Sequence, residues 1–178
     1  MEFRQSEKTD ADDIRHLFVK VFSESESEEE GELVANLAYQ LVAETEESDI
    51  FGFVAKEAGE IVGCITFSRL RFENGPNAFI LSPVAIQTKR QGKGLGQQLI
   101  KFGIDRLKES GVELLVTYGD PRFYSKVGFI PVSVETIPAP LKLNQPEGWL
   151  GQSLVSETII PISGASSCVS ALNKPELW

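Results

Sequence analysis

The residues with the clearest chemical potential lie together at Lys89-Arg90-Gln91-Gly92-Lys93-Gly94-Leu95-Gly96. They follow an apolar run, Phe79-Ile80-Leu81-Ser82-Pro83-Val84-Ala85-Ile86, and precede a segment with helical spacing. A glycine-rich turn feeding a helix leaves main-chain N–H groups unpaired at the helix N-terminus, where a phosphate is readily held. Leu95, Leu99, Ile100, Phe102, Ile104 and Leu107 share one arc, with Gln97, Gln98, Lys101, Asp105 and Lys108 opposite. Gly111 supplies the stop.

Spacing decides which phosphate ligand the turn suits. The dinucleotide pattern G-x-G-x-x-G requires a glycine where the chain has Gln97, and G-x-x-x-x-G-K-[ST] is absent. The turn does satisfy Q-x-x-G-x-G through Gln91, Gly94 and Gly96. Here the chain resembles the GNAT superfamily of N-acetyltransferases, whose acetyl-CoA signature is Q/R-x-x-G-x-G/A between a strand and a helix. A second segment, Gly119 to Phe129, carries Asp120 as an N-cap, Pro121 at the first helical position and Gly128 as a stop, defining a very short helix. It is similar to the GNAT pattern F/Y-Y-x-x-x-G-F through Phe123, Tyr124, Gly128 and Phe129. The related branch with a Gly-Asp-Pro lead-in often carries two tyrosines, and the first of them is Phe123 here.

The resemblance implies a mixed α/β fold: a central, mostly antiparallel sheet splayed between its fourth and fifth strands and flanked by helices. It implies acetyl-CoA as cosubstrate, without a metal. Gln91, Gly92, Lys93, Gly94, Leu95 and Gly96 would surround the diphosphate. Main-chain groups of Val84, Ala85 and Ile86 would pair with the pantetheine amides, one N–H polarising the thioester carbonyl, a contribution often worth about 3 to 4 kcal/mol. Tyr124 would return a proton to the sulfur; an ordinary phenol lies about 1.5 pKa units above a thiol, roughly 2 kcal/mol. The region between the first two helices would border the acceptor, making Glu30 the candidate carboxylate that attracts and deprotonates an ammonium group. The implied reaction is direct attack of a primary amine on the thioester. The alternatives are a non-catalytic acyl-CoA-binding or sensor module of the same fold, and an interaction domain whose glycine turn is empty.

The elements that must position these residues are readable to differing degrees. At 178 residues with 42% hydrophobic content, residues 1–178 are expected to form a single domain. The net charge of −9 disfavours nucleic acid and suits a cationic acceptor, a small-molecule or peptide amine, with Lys89, Arg90 and Lys93 as the local exception at the turn. No apolar run reaches membrane-span length and the N-terminus lacks a secretion signal, so a soluble, cytoplasmic protein is expected. Both a monomer and a homodimer are open to it. Two cysteines form neither a disulfide framework nor a metal cluster, and Cys64 falls inside a strand pattern as a core residue.

Glu2 to Gln5 reads as a first strand, and Thr9 or Asp10 as the cap of a helix burying Ile14, Leu17, Phe18 and Val21. His16, the one histidine, lies off that face. Ser23 to Glu32 reads as an acidic loop entering a second helix with Leu33, Val34, Leu37, Ala38 and Leu41 on one side. Strands follow at 50–56, 61–72 and 79–86, then at 112–118, with Pro83 predicting a bulge or parting of the sheet. Beyond residue 131 the signals weaken: a strand within 129–137, another near 149–156 or 158–162, and loops around Pro138, Pro140, Pro146 and Pro161.

Overall fold

The computed structural model describes residues 1–178. Its strands hydrogen-bond in the order β1-β2-β3-β4-β5-β7-β6, with β8 on β3. In sequence these are β1 (Glu2–Gln5), β2 (Ile50–Glu57), β3 (Glu60–Phe72), β4 (Ala78–Ile86), β5 (Leu114–Tyr118), β6 (Ile130–Pro131), β7 (Trp149–Ser153) and β8 (Ser166–Cys168). The helices are α1 (Ala11–Ser25), α2 (Glu28–Glu44), α3 (Leu95–Glu109) and α4 (Pro121–Tyr124). Two compact units result, Met1–Phe67 with Pro83–Ile104, and Ser68–Ser82 with Asp105–Trp178.

In the first unit, β1 pairs antiparallel with β2 from Glu2↔Lys56 to Gln5↔Phe53. The predicted face of α1 is realised, with Ile14, Leu17, Phe18 and Val21 buried against Val54, Cys64 and Ala85. On α2, Leu37, Ala38 and Leu41 are buried as predicted, but Leu33 and Val34 are only partly so, and Ala35 and Val42 complete the buried face instead. Ser27 caps α2, its hydroxyl accepting the Glu30 N–H at 3.1 Å. Asp10 precedes α1 as expected but caps differently. Its carboxylate takes two bonds from Arg4, at 2.8 and 2.9 Å, and the Glu7 N–H at 2.8 Å. A buried carboxylate is better satisfied by a guanidinium and an N–H than by the helix end alone. α3 lies close against the sheet at Gly103, where a Cβ would come within 2.8 Å of Phe67 and 3.0 Å of Ile65 and Phe53. His16 is exposed and Cys64 fully buried, its thiol pushed up to about 12 by that burial.

In the second unit, β4 pairs parallel with β5 from Ala78↔Leu114 to Leu81↔Thr117, and β5 pairs antiparallel with β7 from Leu114↔Ser153 to Tyr118↔Trp149. Trp149 is fully buried and its indole N–H donates to the Ile137 carbonyl at 2.9 Å. The C-terminal third departs most from expectation. The strand anticipated within 129–137 is only Ile130–Pro131, since Pro131 removes a donor, and Thr158 to Ile162 is not strand. Ser166–Cys168, which carries no strand signal of its own, pairs with Leu70, Arg71 and Phe72.

Candidate active site

The glycine turn has the conformation its composition implies. Thr88–Arg90 form one 3-10 turn; Gly92 and Gly94 then take φ values of +73° and +80°, left-handed backbone that an L side chain adopts only with strain. A Cβ at Gly92 would meet nothing within 4 Å, and one at Gly94 only the Gln98 amide at 3.8 Å. Protein packing therefore does not demand glycine at either position. What their bareness preserves is open backbone.

That backbone ends in donors. The Gln98 N–H bonds the Gly94 carbonyl at 3.0 Å and opens the α3 ladder, so the N–H groups of Leu95, Gly96 and Gln97 precede the first intrahelical bond. α3 runs for 15 residues, and its dipole adds positive potential at this end. The arrangement can hold a doubly anionic diphosphate through main-chain donors alone.

The side chains of the turn serve a different purpose from the one their charge suggests. Gln91 donates its side-chain N–H to the Ile86 carbonyl at 2.9 Å, tying the turn back onto β4. Lys93 donates to the Lys89 carbonyl at 3.2 Å. Arg90 is paired with Glu57, at the end of β2, and the Thr88 hydroxyl donates to Glu24 of α1. Of the cationic cluster read from the sequence, Arg90 is thus neutralised by a carboxylate from elsewhere in the chain.

Along β4, the register with β5 stops at Leu81↔Thr117 although β4 continues to Ile86. The Thr117 hydroxyl donates to the Leu81 carbonyl at 2.8 Å at that last rung. Pro83 follows two residues later and has no N–H to extend a ladder. On the β3 side pairing persists, since the Gln87 N–H reaches the Val62 carbonyl at 2.8 Å. Main-chain groups alternate in direction along a strand, which turns those of Ala85 toward β3 with Gln87 and those of Val84 and Ile86 to the other edge.

Tyr124 belongs to the second unit. Asp120 caps α4 by accepting the Arg122 N–H at 2.9 Å, Pro121 takes the first helical position, and Gly128, at φ +98°, ends the segment. The half-buried Tyr124 ring lies over Gly119, where a Cβ would stand 2.6 Å from its Cε2, and meets Phe123 and Phe129 edge-on at 5.0 and 5.9 Å. Burial pushes its phenol up to about 12, with the Thr117 hydroxyl pulling the other way. Phe123 and Phe129 are packing partners of that ring. Gly119 opens the Gly-Asp-Pro lead-in read from sequence, whereas the carboxylates Glu24 and Glu57 carried no signal there.

Glu30 occupies the first turn of α2 and is exposed, held through its own N–H on Ser27. No group of three His, Cys, Asp or Glu side chains is arranged to hold a metal, and no helix is long and apolar enough to cross a membrane.

Comparison with known proteins identifies the family. Residues 11–129 match the model of the Acetyltransferase (GNAT) family. The chain is 30% identical over 161 residues to the uncharacterized N-acetyltransferase YjhQ of Escherichia coli (strain K12), covering 87% of this chain and 85% of that protein. Among solved structures, the GNAT family N-acetyltransferase YhbS from Escherichia coli in complex with CoA superposes with a TM-score of 0.81 at 25% identity, covering 97% of this chain and 92% of that one. A GNAT family acetyltransferase from Brucella melitensis in complex with acetyl-CoA gives 0.68 at 25% identity, covering 97% of both chains. A family model spanning well over half of the sequence, and a relative matched along most of its length, establish that this chain belongs to the GNAT family of acetyltransferases.

Proposed function

We propose that this protein transfers the acetyl group of acetyl-CoA to a primary amine of a small molecule or peptide by direct attack. The observation that carries the reading is the open, left-handed Gly92–Gly94 backbone running into the unpaired N–H groups at the start of α3. In this reading the diphosphate rests on Gly92, Lys93, Gly94, Leu95 and Gly96, with Gln91 shaping the turn through Ile86. The outward main-chain groups of Val84 and the Ile86 N–H pair with the pantetheine arm. Crystallised relatives with CoA or acetyl-CoA support the choice of cosubstrate.

The acceptor nitrogen must be neutral to attack, and Glu30 is the carboxylate assigned to attract its ammonium form and take a proton. Attack forms the C–N bond and places negative charge on the thioester oxygen, which a main-chain N–H on β4 stabilises. Collapse breaks the C–S bond and expels a thiolate. Tyr124 is the donor assigned to that sulfur. With its phenol near 12, complete transfer to a thiolate whose conjugate acid lies near 8.5 is uphill by about 5 kcal/mol. The phenol therefore stabilises the leaving sulfur by hydrogen bonding, and the proton shed by the acceptor nitrogen restores the balance.

Isothermal titration with acetyl-CoA, followed by thiol release across a panel of amines, tests the reading. Binding with turnover on at least one amine, and a Tyr124→Phe variant that keeps cofactor affinity but turns over about 100-fold more slowly, are expected. Binding without turnover on any amine would instead establish an acyl-CoA-binding module, and no binding at all would leave the glycine turn a purely structural feature.

A further inference from the structure

The cofactor turn is held from two sides by carboxylates that belong to neither recognised motif. On one side Arg90 is paired with Glu57, which ends β2 just before the Ala58-Gly59 turn. On the other the Thr88 hydroxyl donates to Glu24, in the last turn of α1. Between them the Gln87 N–H is fixed on Val62 and the Gln91 amide on Ile86. Residues 87 to 91 are therefore anchored four times before the first left-handed glycine.

We propose that Glu57 and Glu24 are positioning residues for cofactor binding, and that Arg90 is a strut of the turn, bound to Glu57 and not to a phosphate. The reading rests on the acetyl-CoA assignment above. Two observations and one physical argument support it. The Arg90 Nε is buried without an acceptor, so the guanidinium sits with one edge sealed in protein and its outer nitrogen on Glu57. Arg90 lies in the 3-10 turn before Gln91, whereas the bare N–H groups begin after it. Finally, those N–H groups need to be held in one shape, because a loop that must order on binding loses affinity to the entropy of ordering. An electrostatic brace supplied in advance removes that loss.

A strut and a phosphate ligand respond oppositely to loss of Glu57. Glu57→Gln is predicted to weaken CoA binding three- to tenfold by titration calorimetry, and Arg90→Gln to do the same. The double variant Glu57→Gln/Arg90→Gln should be no worse than either alone, since both remove one interaction. If Arg90 were a phosphate ligand merely restrained by Glu57, Glu57→Gln would tighten binding by releasing a cation, and that result overturns the proposal. The charge swap Glu57→Arg with Arg90→Glu provides the second discrimination. A strut recovers most of the lost affinity in the swap, whereas a phosphate ligand replaced by a carboxylate loses it further. Glu24→Ala, which removes the acceptor of the Thr88 hydroxyl, should add its own weakening independently of the Glu57 pair. With an amine acceptor in hand, the same variants should raise KM for acetyl-CoA while leaving kcat and the acceptor KM within twofold. Unchanged CoA affinity in both Glu57→Gln and Glu24→Ala refutes the brace while leaving the cofactor assignment intact; loss of the cofactor assignment would appear as wild-type protein without CoA affinity.

Discussion

The Trp178 indole lies on the Tyr118 ring, with centroids 6.1 Å apart and planes 16° from parallel. Trp149 meets both rings, at 6.0 and 6.3 Å, and the Trp178 N–H donates to the Leu172 carbonyl at 2.8 Å. Residues 166–178, which carry no motif, thereby close over the end of β5. Trp178→Ala should cost about 3 to 5 kcal/mol of stability by denaturant unfolding, and Trp178→Phe, which keeps the stack, roughly half as much. A loss below about 1 kcal/mol for Trp178→Ala would show the stack to be dispensable.

Gly94 separates backbone strain from ligand space. At φ +80°, Gly94→Val carries a strain of about 1 to 2 kcal/mol. The added side chain meets little protein, so the larger effect should fall on the cofactor: at least a 30-fold loss of CoA affinity, read by calorimetry beside a modest drop in melting temperature. Equal affinity would remove the turn from the binding site.

Two acids, the buried Cys64 and the half-buried Tyr124, bear on stability at alkaline pH. The Cys64 thiol, ordinarily near 9, and the Tyr124 phenol, ordinarily near 10, are both pushed up to about 12, chiefly by burial. Each folded value exceeds the unfolded one, so the contribution is complete below the unfolded pKa and is lost as pH rises toward 12. The upper bounds are about 4 kcal/mol for Cys64 and about 3 for Tyr124. Unfolding free energies between pH 9 and 12 should fall less steeply in Tyr124→Phe and in Cys64→Ala than in the parent. Identical slopes would show that neither group is ionised only on unfolding.

The acid limb has a different origin. Asp10 is held below the usual carboxylate range, first by its hydrogen bonds from Arg4 and further by the Glu7 N–H. A depressed folded pKa contributes stability above the unfolded value, near 4, that disappears as pH falls through the lowered one. Asp10→Asn should cost about 2 kcal/mol at pH 7 and flatten the profile below pH 4. A variant with an unchanged acid limb would assign acid unfolding to other carboxylates.

Much of this protein is legible from short windows of sequence. The periodic burial of α1 and α3, the Asp120 cap, and the glycine turns at Gly94 and Gly128 each follow from residues within a turn or two of one another. Helix periodicity, capping and positive φ are local physics. Pro83 marked where a ladder would lose a donor, yet the last β4–β5 rung, at Leu81, is bonded by the Thr117 hydroxyl from another strand. The acidic and basic residues were harder to place because charge is visible in a sequence while its partner is not.

The amino-acid sequence by itself determined that a bare-backbone turn would open an amphipathic helix after an apolar strand, and that a phenol would ride on a very short capped helix. Only the tertiary structure decided that Gln91 would grip Ile86, that Arg90 would meet a carboxylate 33 residues away, and that Trp178 would cover Tyr118. The physical reason is range. Backbone conformation responds to near neighbours, whereas which side chains meet across the fold depends on strand register and packing, which no single stretch of the chain contains.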